Sequence, residues 1–261
     1  MIRLKELESW LQDLQDFETP KVALEQYQTP PHIAAHIAHT IQASFGDLEG
    51  KLVADLGCGC GMLTVAAAIM GTATVVGFDI DSDALKTCKE NLEELEITAA
   101  ELVQAEVRQL GVSCSRFTKL FDTVLLNPSF GTKCNQGTDL EFVQVALELS
   151  HGPVYSLHKT STRAHIIKTA SRWGVNVQVL AKLRYDLPNT YKFHKKKSVD
   201  IEVDFIKFTV NCHIVVEDFI KPCPHRSTVP SKWAKLDVKH MEMLDGSNQT
   251  NRQTALSGDF A

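Results

Sequence analysis

The hydrophobic positions of this chain change repeatedly between two spacings, and together they predict an α/β fold. Short apolar runs bounded by turn residues are typical of buried strands, whereas apolar residues three or four apart are typical of helices. Five such runs end at residues 56, 80, 107, 126 and 157, and helices are predicted over 62–70, 83–95, 138–149 and 161–173. Two consecutive strands follow over 175–183 and 199–210. This order indicates a seven-stranded, mostly parallel sheet with an antiparallel edge and helices on both faces.

Two helices are predicted before the first strand, and little regular structure after the last. Leu4, Leu7, Leu11 and Leu14 have the spacing of one face of an amphipathic helix. A second helix is predicted over 32–44, with Thr29 as its N-cap. We therefore interpret 1–45 as an N-terminal helical extension that contributes to the binding pocket and 46–210 as the main domain. The polar, unpatterned composition of 211–261 predicts a C-terminal extension that is mostly disordered.

The charge of the chain excludes one class of function and leaves one local candidate surface. The net charge is -5 and the pI is about 6.1, so the protein does not bind nucleic acid through its overall charge. A local basic cluster consists of Lys192, His194, Lys195, Lys196 and Lys197. Such a cluster is typical either of a phosphate-binding loop or of a solvated charged loop, and the residues alone leave both interpretations open.

The cysteine and histidine pattern predicts a reducing compartment and no metal site. The seven cysteines are an odd number, which argues against a disulfide framework. Cys212, His213, Cys223 and His225 match none of the paired spacings of zinc sites. No apolar run approaches the length of a membrane span, so we expect no membrane segment.

A short motif follows the fourth strand, where an α/β sheet usually binds its ligand. Asn127, Pro128, Ser129 and Phe130 come directly after the apolar run that ends at Leu126. The crevice beyond the carboxyl ends of parallel strands is the usual ligand site, and Pro128 restricts the backbone of Asn127 to extended geometry. An amide and an aromatic ring in that place are suited to hold a flat ring that carries an amine. Taken alone, the same residues are also ordinary turn chemistry.

A second candidate site lies upstream in the chain, and it favours a functional site over an ordinary turn after the fourth strand. Gly57, Gly59 and Gly61 follow the first strand, and Asp79 ends the second. Glycines allow the backbone to approach a ligand closely, and an acid at the second strand tip is where α/β folds bind ribose hydroxyls. The spacing G-x-G-x-G departs from the dinucleotide fingerprint, which requires glycine where this chain has Met62.

Together, these motifs resemble the class I S-adenosylmethionine-dependent methyltransferases, which have a Rossmann-like fold. Asn-Pro-Ser-Phe is similar to the Asn-Pro-Pro-(Tyr/Phe) motif of enzymes in that class that methylate an exocyclic or amide nitrogen. The stretches 24–35, 55–61, 77–81, 130–133, 154–159 and 184–204 further resemble one family. It is the methyltransferase-like-five family of eukaryotic N6-adenine methyltransferases of small-subunit (18S) rRNA, and the resemblance covers roughly residues 2–208.

The resemblance implies a cofactor, S-adenosyl-L-methionine, and a role for each matching residue. Gln26 and Thr29 are expected to contact its methionine part, and Asp79 its ribose hydroxyls. Cofactor-lining residues are also implied at Gly57, Cys60, Met62, Glu106 and Val107. The base would be held by Asn127, Pro128, Ser129 and Phe130. RNA phosphates would face Lys133, His158, Lys159, Lys192, Lys195, Lys196 and Lys197.

The resemblance also implies a partner and a place in the cell. The family forms a heterodimer with a small zinc-binding methyltransferase activator subunit, expected on the exposed sheet edge near the third strand. Its substrate is small-subunit rRNA, which implies an intracellular protein of the nucleus or nucleolus and the cytoplasm.

Two residues depart from the family pattern, and two alternative functions stay open. Ser129 replaces the second proline of the motif, and Glu106 replaces an aspartate at the end of the third strand. One alternative is methylation of a protein glutamine or another amide nitrogen, for which the same motif serves. The other is an RNA- or activator-binding relic that has lost catalysis. His158 is interpreted as a strand-end hydrogen bonder before a general base, while Tyr185 and Tyr191 either stack on bases or pack the loop.

Overall fold

A computed structural model describes residues 2–111, 116–129, 137–188 and 198–210. The strands are β1 Leu52–Leu56, β2 Thr74–Asp79, β3 Ala100–Gln104, β4 Thr123–Leu126, β5 Val154–Lys159, β6 Val175–Pro188 and β7 Ser198–Val210. The α-helices are α1 Leu4–Gln12, α2 Pro31–Phe45, α3 Met62–Ile69, α4 Ser82–Glu94, α5 Val107–Leu110, α6 Thr138–Leu149 and α7 Arg163–Arg172. Short 3-10 helices occupy Val22–Leu24 and Thr160–Thr162.

The seven strands form one mixed sheet in the order β3-β2-β1-β4-β5-β7-β6. The first five pair in parallel, and β7 pairs antiparallel with both β5 and β6. This confirms the predicted parallel sheet with an antiparallel edge. The chain order reverses between β1 and β4, which are neighbours although two strands separate them in sequence. Their carboxyl ends therefore open a crevice at the topological switch point, where α/β sheets bind ligands.

Helices cover both faces of the sheet. Successive strand residues point to opposite sides, so each strand contributes side chains to both core layers. Leu125 packs into one cluster with the buried faces of α1, α2 and α3, while Val124 and Leu126 pack into the other with α6 and α7. Leu7 and Leu11 of α1 are fully buried in the first cluster. The predicted N-terminal helices are thus an integral part of one core layer.

Three element boundaries differ from the sequence predictions. β3 stops at Gln104, and Glu106 instead precedes α5 as its N-cap, where its carboxylate accepts the backbone N–H of Arg108. Thr29 does not cap α2, because Pro30 occupies the N-cap position and no side chain caps the helix. β6 continues to Pro188, since it stays paired with β7 over its whole length.

The C-terminal extension 211–261 lies outside the described residues, so its predicted disorder stays a prediction. Within the described residues, no helix combines the length and apolar character needed to cross a bilayer.

Candidate active site

An open cavity occupies the crevice at the carboxyl ends of β1, β2 and β4. Its wall combines the N-terminal segment before α2, the glycine turn after β1, the tip of β2, the start of α5 and the residues after β4. The predicted site residues that line it are Gln26, Thr29, Gly57, Cys60, Met62, Asp79, Glu106, Val107, Asn127, Pro128 and Ser129. The two sequence motifs therefore form one site, as their strand-end positions predict.

The glycine turn forms the floor of this cavity. Gly57, Gly59 and Gly61 have φ angles of 76°, 54° and 91°, a region that side chains with a Cβ rarely adopt. Phe17 closes over Gly59, where a Cβ atom would lie 2.9 Å from the end of its ring. Glycine at 59 is thus favoured by its backbone angle, and a Cβ atom there would also displace the end of the Phe17 ring.

Asp79 fixes the glycine turn to the tip of β2. Its carboxylate accepts the backbone N–H of Gly59 at 2.9 Å and that of Asp81 at 2.9 Å. Burial raises the pKa of Asp79, and these backbone hydrogen bonds oppose the shift. Each carboxylate oxygen retains acceptor capacity, which is what a pair of ribose hydroxyls requires.

A polar network holds the N-terminal segment against β2 and α4. The Gln26 Nε2 donates to Asp81 at 2.7 Å, and the Lys21 backbone N–H donates to Gln26 Oε1 at 2.7 Å. The Lys21 ammonium bridges Asp81 and Asp83. Burial raises the pKa of Asp81, but the hydrogen bonds from Lys21 and Gln26 outweigh it, so the net pKa is lowered. Sequence reasoning missed this use of Gln26, because the segment's partners are distant in sequence.

The Asn127 side chain is held by hydrogen bonds of its amide nitrogen. Its Nδ2 donates to Thr29 Oγ1 at 2.8 Å and to the Tyr185 hydroxyl at 3.2 Å. Its Oδ1 is buried and has no hydrogen-bond partner among the described residues. A buried acceptor without a donor costs free energy and is uncommon in native structures. It is therefore the atom of this site that most directly demands a ligand.

The wall formed by α5 contains an ion pair that the sequence did not reveal. The Glu106 carboxylate accepts Arg108 Nε at 3.0 Å and Arg108 Nη2 at 3.1 Å. This contact lowers the pKa of Glu106 and keeps its charge balanced. Val107 is buried beside it and offers an apolar surface.

The expectation that His158 faces RNA phosphates is wrong. The imidazole is buried, with Nε2 2.8 Å from Ser156 Oγ and Nδ1 3.1 Å from Asp139 Oδ2. It therefore acts as the strand-end hydrogen bonder that the sequence also allowed, and it ties β5 to the start of α6. Lys159, the next residue, is only half-buried.

Several predicted site residues lie outside the described part of the chain. They are Phe130, Lys133, Lys192, Lys195, Lys196 and Lys197. Within the described part, no group of His, Cys, Asp and Glu side chains has the arrangement of a metal site. Cys58, Cys60 and Cys88 are buried free thiols, and burial raises the pKa of Cys60.

Asp55, at the end of β1, predicts a distinctive dependence of stability on pH. Burial raises its pKa to about 7, opposed by the hydrogen bond from Thr64. In the unfolded chain an aspartate has a pKa of about 4. The folded protein therefore holds an extra proton between these values, and stability falls as pH rises through that window.

We expect Asp55→Asn to remove this loss of stability with rising pH. Without cofactor, the variant should match the native chain at about pH 4 and exceed its unfolding free energy by on the order of 2–4 kcal/mol above pH 7. Urea unfolding at a series of pH values measures the difference. Parallel profiles for the two proteins would show that Asp55 is ionised in the fold.

Comparison with known proteins identifies the family. The family model of ribosomal protein L11 methyltransferases (PrmA) matches residues 31–127. The rRNA N6-adenosine-methyltransferase METTL5 of Danio rerio is 56% identical over 208 residues, which are 80% of this chain and 99% of that protein. Its Drosophila melanogaster counterpart is 53% identical over 80% of this chain and 97% of that protein. The chain belongs to the METTL5 family.

A solved structure of an archaeal protein has a similar fold. PH1948 from Pyrococcus horikoshii, assigned as an RNA methyltransferase, aligns with a TM-score of 0.70 at 33% identity and covers 82% of this chain and 98% of its own. The METTL5-family chain thus has the class I methyltransferase fold and is an S-adenosylmethionine-dependent enzyme.

The described residues fit that cofactor. The glycine turn leaves room for a close approach, Asp79 offers carboxylate oxygens at the tip of β2, and Val107 offers an apolar surface. Cofactor binding does not account for one feature of the cavity. Asn127 Oδ1 has no hydrogen-bond partner among the described residues.

Proposed function

We propose that this chain transfers a methyl group from S-adenosylmethionine to the exocyclic N6 of an adenosine in small-subunit (18S) rRNA. Curated METTL5 relatives are named as rRNA N6-adenosine methyltransferases, which supports the acceptor atom and the kind of RNA. The observation that carries the proposal is the buried Asn127 Oδ1, which has no donor among the described residues.

The amine of adenine supplies what this oxygen lacks. Its two hydrogens can be accepted by Asn127 Oδ1 and by the backbone carbonyl of Pro128. The N6 lone pair is delocalised into the ring and is a weak nucleophile, so two acceptors that favour a tetrahedral nitrogen lower the barrier. When it is bound, S-adenosylmethionine would supply an electrophilic methyl group and leave as S-adenosylhomocysteine, and the methylated nitrogen would lose one hydrogen as a proton to solvent. Ser129 and Phe130 complete the proposed base site, with Phe130 stacking on the ring.

The residues around the cavity divide the work of binding the cofactor. Asp79 is proposed to accept the ribose hydroxyls, and Glu106 with Val107 to hold its adenine. Gln26 and Thr29 face the methionine part, above the turn that contains Gly57, Cys60 and Met62. Their common place on the cavity wall supports this assignment.

The substrate RNA is proposed to contact a set of lysines of this chain. They are Lys133, Lys159, Lys192, Lys195, Lys196 and Lys197. Phosphate contacts of this kind give affinity and register, while the Asn127 site selects the base. The target nucleotide is proposed to be unpaired or flipped, since the N6 of a stacked and paired base cannot enter the crevice and reach Asn127.

The zinc-binding activator subunit is proposed to pair with β3. This strand is at one end of the sheet order, with no further strand paired to its outer edge among the described residues, and its side chains are half-buried or exposed. Because the proposed substrate is ribosomal RNA, we also propose that the protein works in the nucleus or nucleolus and the cytoplasm.

Methylation of an amide nitrogen in a protein is the second candidate function. The matching family model is named for the methyltransferase of a ribosomal protein, which favours a protein substrate but does not specify an amide nitrogen. That match covers 31–127, so it includes the cofactor-binding strands and Asn127 but none of the residues that follow Asn127.

Transfer of label from methyl-tritiated S-adenosylmethionine separates these functions. The full-length chain, alone and co-expressed with the activator subunit, is incubated with in-vitro-transcribed small-subunit rRNA or with ribosomal proteins. We expect label in the RNA, recovered as N6-methyladenosine after digestion to nucleosides. Label confined to glutamine in protein would replace the proposal with the second function, and no transfer despite cofactor binding would indicate a relic.

A further inference from the structure

We infer that Tyr185 is a positioning residue that sets the orientation of the Asn127 amide. The inference rests on the proposed function, because it concerns which atom of that amide meets the substrate amine. Tyr185 lies near the end of β6 and is fully buried, so it cannot stack on an RNA base. The structure thus assigns it a role that its sequence position did not suggest.

The Tyr185 hydroxyl accepts a hydrogen bond from Asn127 and donates its own hydrogen to the segment before α2. The hydroxyl lies 3.4 Å from the backbone carbonyl oxygen of Gln28, and that oxygen can only accept. The hydroxyl hydrogen can be donated to Gln28 or to the Thr29 side chain, which also contacts the hydroxyl, and the hydroxyl oxygen accepts Asn127 Nδ2 at 3.2 Å. Burial also raises the pKa of Tyr185, so the hydroxyl keeps its proton at neutral pH.

The Asn127 amide has two possible orientations of nearly the same shape, and the hydrogen bonds of the Tyr185 hydroxyl favour one of them. With Nδ2 on Tyr185 and Thr29, both amide hydrogens are bonded and Oδ1 points away from these two residues. The flipped amide would place Oδ1 against the Tyr185 hydroxyl, which would have to turn its hydrogen away from Gln28 and Thr29 to bond it. It would also present a donor to the substrate amine, which is itself a donor in its interaction with the motif. Tyr185 therefore keeps the acceptor available in the productive position.

The tyrosine ring is held independently of the hydroxyl. It packs edge-on against Tyr27, with ring centroids 6.1 Å apart and an interplanar angle of 76°. Tyr27, Gln28 and Thr29 all line the cofactor cavity. A phenylalanine at 185 should keep this packing and lose only the hydrogen bonds, which makes the role of the hydroxyl testable by itself.

Tyr185→Phe should lower kcat for rRNA methylation about tenfold, the usual scale for a lost orienting hydrogen bond. KM for the rRNA and Kd for S-adenosylmethionine should stay within about twofold, since neither ligand loses a contact. Thr29→Val should also lower kcat, whereas Thr29→Ser, which retains a hydroxyl, should restore it.

Tyr155→Phe is the matched control for a merely structural effect. Tyr155 is as deeply buried, and its hydroxyl bonds Asp47 rather than a cavity residue. We expect the control to lower the melting temperature and leave kcat unchanged.

The outcomes separate this inference from the proposed function. Native kcat in Tyr185→Phe, with Asn127→Ala inactive, would overturn the inference and leave the function standing. Equal losses in Tyr185→Phe and Tyr155→Phe would overturn it as well, because the effect would then follow stability. A wild-type chain that binds S-adenosylmethionine but methylates no rRNA would overturn the function first and the inference with it.

Discussion

Asn127→Ala should lower the rate of methyl transfer to rRNA by about 10²-fold or more while leaving the affinity for S-adenosylmethionine unchanged. The substitution removes the unpartnered Oδ1, which is proposed to accept a hydrogen of the N6 amine. It does not touch the carboxylate of Asp79 or the glycine turn. The loss should therefore occur in kcat, because the lost interaction belongs to the reacting nitrogen. Single-turnover transfer from labelled cofactor, together with cofactor titration, measures both quantities.

Thr72→Val provides a matched control for this substitution. Thr72 Oγ1 is another buried oxygen without a hydrogen-bond partner among the described residues, but Thr72 does not line the cavity. Removing it should leave transfer at the native rate and stabilise the fold slightly, since an unpaired buried hydroxyl is replaced by a methyl group. If Asn127→Ala retained native transfer, the proposed contact with the amine would be refuted.

Asp79→Ala should weaken S-adenosylmethionine binding by about 100-fold, the second largest effect that we expect. The carboxylate has two functions in the same place. It is proposed to accept the ribose hydroxyls, and it accepts the backbone N–H groups of Gly59 and Asp81. Its loss removes the contact and releases the turn beneath the cofactor. Isothermal titration of the cofactor into the full-length chain gives the change in Kd.

Asp83→Ala is the control for the removal of a nearby negative charge. Asp83 follows the same strand tip, but its side chain is 71% exposed and pairs with Lys21 rather than with the glycine turn. Its Kd should stay within about threefold of the native value, as exposed ion pairs contribute little. Equal weakening by both substitutions would mean that general charge, and not the position of Asp79, governs binding.

The fold was predictable because strand and helix periodicities record burial directly. The strands that end at Leu56 and Leu126 are mainly apolar and almost entirely buried, as central strands covered on both faces must be. The positions of Asp79 and Asn127 at strand ends then place both motifs in one crevice without further information. The glycine turn was visible for the same reason, since its backbone angles restrict the residue type.

The remaining parts of the site depend on contacts that are distant in sequence. Thr29 and Tyr185 meet Asn127 from 98 and 58 residues away, and no local pattern links these positions. His158 shows the same limit. A histidine beside a lysine at a strand end resembles a phosphate contact, but the fold turns its imidazole inward between Ser156 and Asp139. Residue type and strand position do not determine which way such a side chain faces.

The most direct test of the account is a crystal structure of the full-length chain with S-adenosylhomocysteine and adenosine monophosphate. We predict that Asn127 Oδ1 lies roughly 2.7–3.2 Å from N6 of the nucleotide base. Asn127 Nδ2 should still be bonded to Thr29 and Tyr185. An Oδ1 that is bonded instead to a donor of the chain or to the homocysteine group, with the base amine elsewhere, would contradict the account.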